Sequence, residues 1–311
     1  MSATTSARVK AFCATAIWGA SFVATKAAVS EISPVTLIFL RFGIGVVVMA
    51  LAVWRLGILA KISRRDWLLL ALLGAIGIPI HQGLQANGLV VTAATNVAWL
   101  VTLTPVFTAL LAWLFLSESF GITKTIGLVI AFLGALLVIT KGSFTAELLR
   151  LPSTTGDFLA LASALNWAIF TVISKPVLKR IHPTLTVALV MAIGGVLVLP
   201  FLANAQGWNE LGHLTVSGWL AVGFLGVFCS GIAYIFWYDA LARIDASQVS
   251  AFIYLEPFIT VVVAAIVLSE VFTWIAFVGG LTILVGVYLV NRSGVRRATE
   301  PEIVQVSIAS D

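Results

Sequence analysis

Glu256 falls about nine residues into an apolar run that extends from 247 to 268. An ionised carboxylate at that depth of a membrane-length segment is costly unless it is paired or wet. Four roles fit it: a proton site, a site for a substrate amine, an ion-pair partner for Arg41 or a lysine, or a cap on backbone groups freed by Pro257. His81 and Gln85, four residues apart, share one helical face of another apolar run, with Asn87 nearby. His81 could bind a substrate carboxylate, relay a proton, or serve as an interhelical donor. The second-half counterpart of that run, "SGIAYIFWYDALA", carries Tyr234, Trp237, Tyr238 and Asp239 instead. One polar wall facing one aromatic wall suits an amphipathic solute.

Trp18 and Trp167 lie in mid-run, away from the interfaces where tryptophans usually anchor. They read either as two aromatic walls able to stack on a ring or hold an ammonium, or as packing beside Gly19 and Ala168. Asn96, Trp99 and Tyr254 are further pocket candidates. Arg41 is deep enough in its run to need a partner or water, and an outward-facing acidic group is the expected partner. Lys26 and Lys175 occupy matching helix ends, where each can attract a carboxylate on its own side or snorkel to headgroups. Pro79, Pro105 and Pro257 interrupt their helices, as hinges beside a cavity or as static kinks.

The elements that must position these residues are membrane spans. Sixty per cent of the residues are hydrophobic and 10% are charged, with a mean hydropathy of +1.10, beyond what a water-soluble surface tolerates. Apolar stretches of roughly 18 to 25 residues, each able to cross the bilayer, succeed one another without the soluble sequence that would follow a signal peptide. Ten spans are expected near 11–30, 35–55, 67–89, 94–116, 122–140, 156–178, 184–203, 216–241, 247–268 and 272–291. With the N-terminus cytoplasmic, thirteen Lys and Arg fall inside and only Lys141 and Arg150 outside, a strong positive-inside bias placing both termini in the cytoplasm of an inner membrane. The net charge of +5 therefore reports topology rather than a nucleic-acid partner. Trp54, Trp67, Trp113, Trp219 and Trp274 near span ends read as interfacial belt residues. Cys13 and Cys229 sit inside apolar runs and are expected to be reduced and inert. No phosphate-cradling loop, metal-ligand cluster or Ser-His-Asp group is evident, so neither cofactor nor metal is expected.

The chain also repeats itself. At an offset of 149, Trp18 falls on Trp167, Lys26 on Lys175, Pro34 on Pro183 and Gly45 on Gly194. At 152, Gly74 falls on Gly226, Pro105 on Pro257, Ser117-Glu118 on Ser269-Glu270, Gly127 on Gly279 and Gly134 on Gly286. This divides the chain into a five-span unit at 1–148, a second at 149–292 and a tail at 293–311. An odd number of spans per unit inverts the second relative to the first, the architecture of carriers whose central site opens to each side in turn.

Four stretches carry a family resemblance: "AIWGASFVATKAAV" at 16–29, "ISPVTLIFLRFGIG" at 32–45, "LTPVFTALLAWLFLSESF" at 103–120 and "LEPFITVVVAAIVLSEVF" at 255–272. They resemble the EamA repeat of the drug/metabolite transporter superfamily, in both halves. The resemblance implies a ten-helix inner-membrane carrier that exports amino acids, other metabolites or drugs. Size and aromatic content are similar to those of the YddG-type amino-acid exporters. Thr104 departs from the pattern, standing where the family often has Glu, whereas Glu256 keeps it.

The expectation is an all-α integral membrane protein that works as a secondary transporter without ATP and is not an enzyme. Its expected partners are a small-molecule substrate and the lipid bilayer. Neutral or aromatic amino acids fit the polar and aromatic walls best, with hydrophobic cationic drugs or nucleoside-like metabolites as the alternative. An intramembrane enzyme would need a reactive cluster such as His81 with Glu256, and a scaffold would be expected to lack mid-span polar groups.

Overall fold

The computed structural model describes residues 2–58, 60–91, 97, 100–140, 142, 154–204, 207–267 and 273–293; its regular structure there is all helical, with no strand. The first half contains α1 (Ala3–Val29), α2 (Pro34–Leu56), α3 (Arg64–Ala75), a π-helical turn at Ile76–Ile80, α4 (His81–Val91), α5 (Thr104–Leu116) and α6 (Ile122–Thr140). The second half contains α7 (Thr155–Leu178), α8 (Pro183–Asn204), a helical turn at Gly207–Glu210 and α9 (Val216–Phe224). It continues through a π-helical stretch, Leu225–Ile232, into α10 (Ala233–Arg243). Next, α11 (Ala246–Ser250) runs through a 3-10 turn, Ala251–Tyr254, into α12 (Leu255–Val267), and α13 (Trp274–Ser293) ends the bundle. Among the described residues nine helical stretches are long and apolar enough to cross a membrane, and Thr104–Leu116 is a shorter apolar helix. Of the expected span at 94–116, both Asn96 and Trp99 lie outside the described residues.

Helix starts are written in the sequence. Ser33, Ser63, Thr154 and Thr215 each accept the backbone N–H of the residue three positions on, satisfying a donor that a helix N-terminus leaves open. At Thr154 the bond is reciprocal, since Asp157 also accepts the Thr154 N–H. Gly57, at φ 61°, ends α2 in the left-handed conformation that glycine adopts without steric cost.

Between helices, small residues let backbones touch where no hydrophobic effect operates inside lipid. A Cβ on Gly134 would lie 2.7 Å from the Ile283 nitrogen and 2.8 Å from the Gly279 oxygen, and one on Gly127 would lie 2.8 Å from the Gly286 oxygen. Gly127 thus opposes Gly286 while Gly134 opposes Gly279, which requires α6 and α13 to run antiparallel. A Cβ on Gly74 would lie 2.9 Å from Ile193, and one on Gly45 would lie 2.9 Å from Ser230. The five expected belt tryptophans are all exposed on the outside of the bundle. Cys229 is buried, and both cysteines are free thiols.

Polar stitches gather at the two ends of the bundle. At the end bearing the N-terminus, Lys10 pairs with Asp239 at 2.8 Å, Arg180 with Asp66 at 2.6 Å, and Arg8 Nε donates to Asn291 Oδ1 at 3.1 Å. There Glu118 caps α11, accepting the Ala246 N–H at 2.6 Å and the Ser247 hydroxyl, while buried Lys124 donates to Ser247 Oγ at 2.7 Å. At the opposite end Glu31 caps α9, accepting from the Thr215 nitrogen at 2.7 Å and its hydroxyl at 2.8 Å. Glu210 accepts from the Ser33 nitrogen and hydroxyl, each at 2.9 Å.

Two outcomes are expected. Gly134→Val must push apart two backbones, so it should destabilise the purified protein by about 1–3 kcal/mol, read as a lower Tm in detergent. Gly43→Ala, with nothing within 4 Å, should leave Tm unchanged. Burial pushes the Glu210 carboxyl up, but hydrogen bonds from Thr36 and Ser33 outweigh it and hold the pKa below the ordinary carboxylate range. A depressed pKa contributes stability above the unfolded value of about 4.3 and loses it as pH falls through the folded value. Melting curves of Glu210→Gln and the unaltered protein should therefore differ at neutral pH and converge below about pH 4.

Candidate functional site

A cavity of about 120 Å³ opens between α1, α2, α4, α5, α7, α10 and α12. Its lining brings together Trp18, Arg41, His81, Gln85, Trp167, Tyr234 and Glu256, residues distant in sequence that were each singled out as candidates above. Ser21, Thr25, Gln82 and Thr104 complete its polar surface. Thr104 was marked as the counterpart of Glu256, but for Ser21, Thr25 and Gln82 the only sequence signal was polarity inside an apolar run, which does not distinguish a cavity wall from a packed helix interface.

Irregular backbone places these side chains. The π turn at Ile76–Ile80 contains Pro79, which has no N–H to donate, and the Asn166 side chain donates to the Ile76 carbonyl at 2.7 Å. Such non-helical backbone is tolerated at membrane depth where protein or water satisfies it. The helix that follows delivers His81, Gln82 and Gln85 to one wall. Pro105 and Pro257, expected from sequence to interrupt helices as hinges or static kinks, do not lie inside continuous helices. Pro105 occupies the first turn of α5, after a turn at Thr102 and Leu103, and Pro257 the first turn of α12, after the 3-10 segment. Proline fits there because first-turn N–H groups lack an intrahelical partner in any case.

The aromatic wall is a cluster. Trp18 meets Trp167 edge-on at 5.6 Å, Tyr234 at 5.3 Å and Trp237 at 5.1 Å, and His81 lies 4.8 Å from Trp167. Each such contact adds roughly 0.5–1.5 kcal/mol beyond burial of area. The Trp18 indole N–H donates to the Cys229 carbonyl at 3.0 Å, which fixes the ring. Trp237 and Tyr254 are fully buried and stand behind the lining rather than in it. Tyr254 packs on Phe132 at 6.4 Å. Among the described residues the Trp237 indole N–H, the Tyr254 hydroxyl and His81 Nδ1 have no hydrogen-bond partner.

The charged candidates separate. Arg41 is 9% exposed, and its expected acidic partner is absent among the described residues. Instead its Nε donates to Ser230 Oγ at 3.1 Å and its guanidinium lies 5.2 Å over the Phe42 ring, because the π segment packed against it presents Ser230 rather than an acid. Nor does Glu256 form the ion pair considered from sequence: its carboxylate has no hydrogen-bond or ion-pair partner among the described residues. Its backbone carbonyl is held by the Thr260 hydroxyl at 2.8 Å and packs against Gly19, where a Cβ would lie 2.9 Å away. Lys175 does not snorkel. Its ammonium donates to the Leu241 and Ile244 carbonyls, closing the C-terminal end of α10. The side chain of Lys26 lies outside the described residues. Asn87 bonds the Gly83 carbonyl at 2.8 Å, and Asp239 belongs to the Lys10 stitch, so neither lines the cavity.

Among the described residues the cavity's lining extends toward one end of the bundle. Its lining continues to Val29 and Pro34, at the turn between α1 and α2. Toward the N-terminal end stand fully buried Trp237, Tyr238 and Tyr254, beyond which lie the Lys10–Asp239 and Glu118–Ser247 stitches.

The chain belongs to the EamA-like transporter family, whose model matches residues 6–140 and again 154–292. It is therefore a multi-pass membrane transporter acting on a small molecule. It is 34% identical over 275 residues to an uncharacterized transporter of Archaeoglobus fulgidus, covering 88% of this chain and 93% of that one. It is 30% identical over 284 residues to a probable terminal-alkyne amino-acid exporter of Streptantibioticus cattleyicolor, covering 91% and 92%. The uncharacterized transporter YyaM of Bacillus subtilis is 29% identical over 90% of each chain. A solved crystal structure shares the fold with a TM-score of 0.78 over 94% of this chain and 99% of that chain, at 19% identity.

In a background with Cys13 and Cys229 replaced, Thr25→Cys and Gln85→Cys should react with a membrane-impermeant maleimide applied to the side bearing the turn between α1 and α2. Ser247→Cys, at a position 1% exposed behind the Glu118 and Lys124 contacts, should stay unlabelled by the same reagent applied to that side.

Proposed function

We propose that the protein is a secondary carrier that exports neutral or aromatic amino acids across the inner membrane by alternating access. The observation that carries this reading is that Arg41, Glu256, Trp18 and Trp167 meet in one cavity, whose lining extends to the turn between α1 and α2. Solutes of this class have charged ends and an apolar body, and the lining has unpaired charges of both signs against aromatic rings. The exporter of S. cattleyicolor, named for an amino acid, supports the same class.

Alternating access follows from ten spans arranged as inverted units at 1–148 and 149–292, with both termini cytoplasmic. Several features support that arrangement. The family model matches twice, and repeat-related glycines oppose each other crosswise on α6 and α13. The π segments Ile76–Ile80 and Leu225–Ile232 overlap when the second is shifted back by 152 positions. Arg180 stitched to Asp66 at one end corresponds, in repeat register, to Glu31 stitched to Thr215 beside Gly218 at the other. In this arrangement the conformation described is open outward and closed to the cytoplasm, and exchange of the two end layers turns the cavity inward. Breaks before Pro105 and Pro257 give each unit a flexible point at the depth of the cavity. Glu256 facing aromatic walls also favours a second reading, a hydrophobic cation, which Arg41 in the same cavity opposes by charge.

Flux of labelled tryptophan, phenylalanine, threonine and methionine into proteoliposomes, with and without a pH gradient, tests the reading. Saturable uptake of at least one amino acid, absent from empty liposomes, is expected. Glu256→Gln should lower it at least ~10-fold, the cost of losing a charge-assisted contact, with folding preserved. Folded protein that moves none of the four in either condition would overturn the amino-acid reading.

A further inference from the structure

The geometry points to Arg41 and Glu256 as the two poles of one zwitterion site, an inference that rests on the amino-acid carrier reading and deepens it. Arg41 takes the solute carboxylate, Glu256 takes the ammonium, and the side chain lies against Trp18 and Trp167.

Arg41 is nine-tenths buried, yet only its Nε is engaged, by the Ser230 hydroxyl. Its terminal amino groups have no hydrogen-bond partner among the described residues, and the residue lines the cavity. A guanidinium presents a planar fork that matches a carboxylate in two parallel hydrogen bonds. The bundle supplies no acid to fill that fork among the described residues, although it pairs Lys10, Arg180 and Arg243 with carboxylates elsewhere. Glu256 is the converse, a carboxylate in the same lining with no cation beside it.

Trp18 is tied to the surroundings of both poles. Its indole N–H binds the Cys229 carbonyl, one residue from the Ser230 that holds Arg41. The next residue, Gly19, packs directly on the Glu256 backbone. A solute laid against Trp18 therefore shares its cavity with both Arg41 and Glu256. The two charges share a cavity without pairing to each other, so each remains open for a ligand group of opposite sign. A solute with only an ammonium meets Arg41 as a like charge, and one with only a carboxylate meets Glu256 in the same way, so the pair selects for molecules that carry both.

The test uses full-length protein in proteoliposomes, with labelled phenylalanine as substrate and two truncated analogues as competitors: phenethylamine, which lacks the carboxylate, and 3-phenylpropionate, which lacks the ammonium. In Arg41→Gln the half-saturating phenylalanine concentration should rise at least ~10-fold while inhibition by phenethylamine stays the same or strengthens. Glu256→Gln should do the reverse, weakening phenylalanine and sparing 3-phenylpropionate. Arg41→Lys, which keeps the charge and loses the fork, should fall between. If folded variants weaken phenylalanine and both analogues alike, or change none of them, the pole assignment is overturned while the carrier reading stands. If the unaltered protein moves no amino acid, both fall. The Glu256→Gln arm decides the assignment by itself where Arg41→Gln does not fold, because its carboxylate makes no contact that the described fold uses.

Discussion

A guanidinium and a carboxylate held inside an apolar bundle without counter-charges constrain everything around them. The cost of an uncompensated charge away from water is several kcal/mol, and Arg41 and Glu256 both line the cavity. The cavity in turn requires that helices part at mid-depth, and parting requires backbone that is not regular helix. The π segments, the 3-10 turn and the prolines that begin α5 and α12 meet that requirement. Where no cavity is needed, at α6 and α13, glycines close the gap until backbones touch.

The same economy governs the ends of the bundle. Beside the ion pairs of Asp239 and Asp66, two carboxylates there cap helices: Glu118 closes the N-terminus of α11 and Glu31 that of α9. A cap across two elements is a joint that forms or breaks as a unit, since the orphan N–H groups it satisfies are recovered by water once the end opens. Lys175, bonded to carbonyls at the end of α10, makes the complementary joint with a cation at a helix C-terminus. Charge that composition alone assigns to topology is thus also assigned, residue by residue, to joining helices at the ends of the bundle.

Much of this was legible in the sequence because the signals are large. Hydropathy marked the spans, the self-similarity of 127 and 134 with 279 and 286 marked the helices that later proved to oppose each other, and Trp18 with Trp167 marked the aromatic wall. What stayed hidden depends on the direction a side chain takes around its helix. Trp237 and Tyr254 have the composition of lining residues, but rotation about their helices puts them behind the wall. The acid expected beside Arg41 was inferred from cost alone, and the cavity meets that cost instead. Lys175 resembled a snorkelling lysine because a helix end in sequence does not reveal the carbonyls of another helix next to it.

The central claim is that the cavity changes the end at which it opens. Spin labels at Lys10 and Glu118 would disturb the joints they report, so labels belong on exposed neighbours: Phe12 and Phe120 at the N-terminal end, Val29 and Val216 at the other. Pulsed electron–electron distances between the labels of each pair, in liposomes with and without saturating phenylalanine, measure both ends of one molecule. The account predicts a second population in which one distance lengthens as the other shortens. Two distances that stay fixed, or that lengthen together, under conditions where the same protein transports would contradict it.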